Sequence, residues 1–171
     1  MILGLDLATS TGFCYGDGAS LPVVGTCRMP QTGEEVGPFL FHFETWLEET
    51  IEAVRPTMII FEAPIIRSDG SHIMTVRKLT GLAALVELVA HKRGVEVLET
   101  HISTVKRTLT GKGNAEKHEM IFFARKAGIV ISAGFEGQDE ADAFGVWVSA
   151  VLLHTKHAGR WRPLIGSGSL L

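Results

Sequence analysis

Apolar and polar positions along the chain alternate between two patterns, short continuous apolar runs and longer stretches with helical spacing. Met1–Leu7 is almost wholly apolar, with Asp6 as its single charge. Gly12–Tyr15 and Val23–Met29 follow after short polar turns, with Gly16, Gly18 and Gly25 at turn or bulge positions. These three segments predict an antiparallel strand meander. From Phe39 to Val54 the pattern changes: Phe39, Phe43, Trp46, Leu47, Ile51 and Val54 recur at helical spacing, with Glu44, Glu48, Glu49 and Glu52 elsewhere on the helix. Arg55-Pro56 ends it, because proline disfavours helix in the residue before it.

The run Met58-Ile59-Ile60-Phe61 predicts a strand covered on both faces. Ser71–Arg93 predicts a long helix closed by Gly94, and Val95–Leu98 another buried strand. Two short helices around Gly111 and Gly113 come next, then a last helix from about Asp139 to His154. Strands joined through helices pair in parallel, with helices on the sheet faces, and right-handed crossovers place Met58–Phe61 beside Met1–Leu7. The expected architecture is therefore α/β, a mixed five-stranded sheet in which an antiparallel meander of three strands continues into two parallel ones. Residues 1–158 are expected to form one domain and 159–171 a tail made flexible by Gly166-Ser167-Gly168-Ser169.

Composition adds bounds. The 171 residues are 46% hydrophobic and 20% charged, as in a soluble globular protein. No run approaches the ~18 apolar residues of a transmembrane helix, and Met1 leads into a strand rather than a basic leader. A cytoplasmic protein is expected, with Cys14 and Cys27 as reduced core residues. The net charge is −3, but its distribution is uneven. Residues 1–62 carry nine acids against Arg28 and Arg55, whereas residues 101–126 carry six bases against Glu116 and Glu119. Such a basic segment is either a solvated helix face or a phosphate-contacting patch.

The acids raise the sharper question. Asp6 sits near the carboxyl end of the first strand, and Glu62 ends the strand expected beside it. Active sites of parallel sheets gather at such ends. Taken singly, Asp6 could be a turn residue bonding the backbone of Ala8 or Thr9, and Glu62 a solvated strand end. Asp139 and Asp142 lie three apart, on one face of the last helix, in what is expected to be its dipole-favoured first turn. Glu140 falls on another face and reads as a bystander. Four carboxylates from three elements need a shared cation, and hard oxygen donors suit Mg²⁺ or Mn²⁺ rather than zinc. Two such ions about 4 Å apart activate water and stabilise the leaving oxygen in phosphodiester hydrolysis. Asp6 would then bridge them.

Between Thr104 and Lys117 the chain combines bases, hydroxyls and two glycines before a helix, Lys106, Arg107, Lys112, Gly113, Asn114 and Lys117 among them. Backbone N–H groups at that helix start can hold phosphate, and the lysines add charge. Taken together, Gly4-Leu5-Asp6 through Thr11-Gly12, Ile59-Ile60-Phe61-Glu62, Val105-Lys106 with Thr110–Lys117, and Asp139-Glu140-Ala141-Asp142-Ala143 resemble the RuvC-type Holliday-junction resolvases of the ribonuclease-H-like superfamily. The resemblance covers nearly the whole chain. It implies a ribonuclease-H-like fold and a homodimer, joined through the helix Ser71–Arg93, that cuts four-way DNA junctions symmetrically with Mg²⁺ and leaves 5′-phosphate nicks. It also implies metal binding by Asp6, Glu62, Asp139 and Asp142, and DNA phosphate contacts near the cut by Lys106 and Lys117. Leu7-Ala8 replaces the Pro-Gly usual in bacterial members and looks more like phage-encoded ones. Where those members carry a junction-opening aromatic, this chain has Ile65 or Ile66, either a wedge between bases or core residues.

Other classes remain open at this stage. An actin-like ATP-binding domain also pairs an early strand Asp with a hydroxyl- and glycine-containing hairpin, as Asp6–Gly12 does, yet it needs a second related domain. A noncatalytic relative, a broader branched-DNA nuclease and a nuclease of RNA–DNA hybrids share the fold. His154 and His157 lack a visible third ligand, and Arg160-Trp161-Arg162 reads either as a stacking patch or as a tail packed back onto the domain.

Overall fold

The computed structural model describes residues 1–64 and 73–162. In chain order the elements are β1 (Ile2–Asp6), β2 (Ser10–Gly16), β3 (Val23–Arg28), α1 (Val36–Val54), β4 (Met58–Glu62), α2 (Ile73–Arg93), β5 (Glu96–Thr100), α3 (Ile102–Thr110), α4 (Lys117–Lys126), α5 (Phe135–His154) and α6 (Ala158–Trp161). The five strands form one sheet in the order β3-β2-β1-β4-β5. β1, β2 and β3 pair antiparallel, while β4 runs parallel to β1 and β5 parallel to β4. This is the mixed sheet that the hydrophobic pattern predicts.

Strand alternation divides the core in two. Leu3, Leu5, Ile59 and Phe61 point to one face, where Phe39, Phe43 and Leu47 of α1 and Leu82, Val86 and Val89 of α2 cover them. Ile2, Cys14, Met58 and Ile60 point to the other, against α5 and its neighbours α3 and α4. Helices therefore lie on both faces. α5 is buried along almost its whole length, packed on β1 and β2 below and on α3 and α4 above. It comes this close because of glycines in the strands. A Cβ on Gly4 would stand 2.8 Å from the Cβ and backbone nitrogen of Trp147, inside van der Waals contact.

Two expectations need correcting. α5 begins at Phe135 rather than near Asp139, so Glu136 is the acid of its first turn and Asp139 and Asp142 lie deeper in the helix. β5 is a half-exposed edge strand, with Glu96 and Glu99 in solvent, because no further strand among the described residues covers its outer side. In α2, Leu82, Val86 and Val89 are used by the chain's own core, leaving Ile73 and Leu88 as its exposed large apolar residues among those described. Trp161 is fully buried against Phe144 and Trp147, and its indole N–H donates to the Gly18 carbonyl at 2.8 Å. Of the two readings of Arg160-Trp161-Arg162, the tail packed back onto the domain is the one this burial bears out. Cys14 and Cys27 are free and buried. Among the described residues, no helix is long and apolar enough to cross a membrane.

Candidate active site

Strand alternation and register decide which way the acids face. Ile2 and Met58 are paired, as are Leu5 and Phe61, so one further step sets Asp6 beside Glu62. With Ile2 and Ile60 facing α5, period two puts Asp6 and Glu62 on that same face. On β2, Gly12 is the partner of Asp6. A Cβ on Gly12 would run into the carbonyl oxygen of Asp139, so the bare glycine lets the α5 backbone cross the sheet next to Asp6. Asp142 follows one turn later. The Ala8–Thr11 turn is closed by the buried Thr11 hydroxyl, which donates to the Ala8 carbonyl at 2.9 Å. Asp6 is thereby relieved of the turn-bonding role that its position also suggested.

The electrostatics follow from that convergence. Burial pushes Asp6 well above the ordinary carboxylate range, and the charges of Asp142, Glu62 and Asp139 push it further, with Lys117 opposing. Glu62 is raised to about 7 by burial and by Asp142, against Lys106. Burial raises Asp142 to about 6, while Lys117 and Lys106 hold it down. Asp139 is also raised by burial, with the nearby Ser10 hydroxyl acting in the opposite sense. Asp6, Glu62 and Asp142 are each raised in part by another carboxylate of the four, which makes the site short of positive charge. Their oxygen-only donor set fits a hard divalent cation. The cluster is loose, for among the described residues no three such side chains already surround a single point at ligating distance.

Two lysines flank this cluster. Lys117, at the start of α4, acts on Asp6, Asp139 and Asp142, and Lys106 of α3 acts on Glu62 and Asp142. The rest of the basic segment is differently placed. Lys112 is bound to Glu119 at 2.6 Å, so its charge is already matched. Arg107 is exposed beside Gly113, and Asn114 is exposed in the same α3–α4 loop. The expectation of a phosphate-holding N–H cradle at the start of α4 needs correcting. Glu116 and Glu119 form a capping box there, and their carboxylates take two of the N–H groups, those of Glu119 and Glu116, that a phosphate would use. Ile65 and Ile66 lie outside the described residues.

Three contributors escaped the sequence reading. Ser10 and Gly12 shape the site from β2, and Glu140 is an anchor rather than a bystander. Its buried carboxylate accepts from the Ser132 backbone N–H at 2.7 Å and from the Ser132 hydroxyl at 2.8 Å, tying the loop before α5 to the helix. An acid sharing its helix face with the apolar positions Gly137, Ala143 and Phe144 was the available signal.

A family model described as Crossover junction endodeoxyribonuclease RuvC matches residues 2–150. A Ruegeria pomeroyi protein of that name is 28% identical over 148 residues, covering 85% of this chain and 87% of the relative. One from Methylobacterium radiotolerans is 27% identical over 171 residues, covering 96% and 79%. The structure of Thermus thermophilus RuvC in complex with Holliday junction substrate superposes with a TM-score of 0.66 at 19% identity, over 88% of this chain and 92% of that one. This likeness supports the ribonuclease-H-like architecture. With the match running from β1 into α5, through all four carboxylates, the chain belongs to the RuvC family of crossover junction endodeoxyribonucleases.

Proposed function

We propose that the chain is a metal-dependent endonuclease that cuts four-way DNA junctions by symmetric phosphodiester hydrolysis, leaving 5′-phosphate nicks. One observation carries the reading: Asp6 is raised by three other carboxylates arriving from β4 and α5, with Lys106 and Lys117 alongside. Asp6, Glu62, Asp139 and Asp142 would hold two Mg²⁺ ions, or Mn²⁺, with Asp6 shared between them. The chemistry supplied there is activation of water and stabilisation of charge on the leaving oxygen. The protein's own part is positional. Asp6 is held by a buried strand, and Ser10 of β2 stands next to Asp139. Lys117 steadies the scissile phosphate, and Lys106 with Arg107, Lys112, Gly113 and Asn114 meets the flanking backbone. Lys112 would exchange Glu119 for phosphate.

Two cuts related by symmetry need two such sites, and the helix Ser71–Arg93 is the proposed dimer element, Leu88 and Ile73 being exposed apolar side chains on it. Ile65 and Ile66 are proposed to contact bases at the junction centre.

The test is cleavage of end-labelled four-way junction, three-way junction, flap, linear duplex and RNA–DNA hybrid, each with Mg²⁺ or EDTA. Paired symmetric nicks on the four-way junction alone, lost in EDTA and in Asp6→Asn, are expected. Equal cutting of every branched substrate would replace junction resolution by general debranching. Cutting of RNA–DNA hybrid alone, or of nothing, would overturn the proposal.

A further inference from the structure

A cavity of about 540 Å³ adjoins the carboxylate cluster and shares Ser10 and Asp139 with it. Its walls are mostly apolar, with Met29, Pro30 and Phe39 in the wall and the exposed Phe135 ring among its lining. Into this cavity reaches Lys78 of α2, only 9% exposed. Its ammonium donates to the Thr32 hydroxyl at 2.9 Å and the Gly33 carbonyl at 2.7 Å, and stands 4.9 Å from the centre of the Phe39 ring. All three partners are neutral. No ion pair among the described residues includes Lys78. The other cation of the cavity, Arg28, is paired with Glu136.

A buried ammonium without a counter-charge is unfavourable, and it is maintained here on the wall of an open cavity. An anion would supply the missing charge, and the apolar walls suit a flat, weakly polar body attached to it. A nucleotide has that chemistry. Because the cavity shares Asp139 with the carboxylates, a nucleotide in it would adjoin the phosphate being cut. We propose that this cavity holds one nucleotide of the cleaved strand next to the scissile phosphate, its own phosphate toward Lys78 and its base or sugar against Met29, Pro30 and Phe135. The proposal rests on the nuclease reading and adds a second phosphate site to it, formed by elements other than the basic α3–α4 segment. A charge-assisted contact of this kind is worth roughly a tenfold effect or more when removed.

The probe is a four-way junction carrying one methylphosphonate linkage, which removes a single phosphate charge, stepped along the cleaved strand on either side of the cut. Wild-type protein is expected to lose about tenfold in cleavage rate at one flanking linkage. Lys78→Gln should cut the unmodified junction more slowly by a similar factor and show no further loss at that linkage, whereas Lys78→Arg should keep the sensitivity. Thermal unfolding of each variant separates a folding defect from a contact defect, and the wild-type scan needs no variant at all. A wild-type scan flat at every flanking linkage overturns the nucleotide site while leaving the nuclease reading intact. So does a folded Lys78→Gln protein that retains the full wild-type loss. Failure of wild-type protein to cut any junction overturns both.

Discussion

Asp6 concentrates the conflict on which the chemistry depends, since a carboxylate fixed among three others is unstable as an anion until cations arrive. Asp6→Asn removes one of the four charges with little change of shape. In metal-free protein it should raise the melting temperature, by relieving repulsion on Glu62, Asp139 and Asp142, while cleavage falls by about a hundredfold or more. Calorimetry in EDTA and the junction assay read the two effects separately, and a melting temperature lowered by the substitution would contradict the electrostatic account. Lys117 works in the opposite sense. It is the cation that holds down Asp6, Asp139 and Asp142. Lys117→Ala should therefore shift the acid limb of the pH–rate profile to higher pH as well as lower the plateau. A lower plateau with an unmoved limb would mean that Lys117 touches DNA without tuning the carboxylates.

At the scale of elements, the site depends on how closely α5 lies on the sheet. Gly12 has no Cβ where the Asp139 carbonyl passes, and Gly12→Ala forces strand and helix apart at the partner of Asp6. Overpacking of that kind costs about 1–3 kcal/mol, and here it also separates Asp6 from Asp139. Gly12→Ala is expected to lower the melting temperature by several degrees and to reduce cleavage far more than an equally destabilising substitution elsewhere in the core. Equal losses for the two would show that Gly12 serves stability alone. Much of this level was legible in the sequence. The continuous apolar runs Met1–Leu7 and Met58–Phe61, with a helix leading back between them by a right-handed crossover, were enough to set Asp6 beside Glu62. The start of α5 was not legible, because Phe135-Glu136-Gly137 carries two weak helix formers' worth of ambiguity in its exposed phenylalanine and its glycine. The same holds for Glu140 and the α4 cap. Whether an acid binds a metal, a backbone N–H or a neighbouring loop depends on tertiary placement, which local spacing does not encode. Glu116 was counted only as a charge, yet it closes the helix end that phosphate was expected to occupy.

For the molecule as a whole, stability and function are coupled through protons. Glu62 at about 7 and Asp142 at about 6 both stand above their ordinary values of 4.5 and 3.8, which the unfolded chain recovers. Between those limits the native state binds more protons than the unfolded state, so raising the pH favours unfolding. The stability contributed by the protonated carboxyls is complete below the unfolded values and lost as pH rises toward 7. Divalent cations reverse this trend, because they bind only the deprotonated native cluster and stabilise it by mass action. In EDTA the melting temperature should fall as the pH is raised from about 5 to about 7.5, and added Mg²⁺ should raise it much more at the upper pH than at the lower. Asp6→Asn should flatten both the fall and the rescue, since it leaves a smaller cluster with less charge to neutralise. A metal-free protein whose melting temperature rises across this interval would place its governing carboxylates below their ordinary range, and a rescue independent of pH would place the cation away from them.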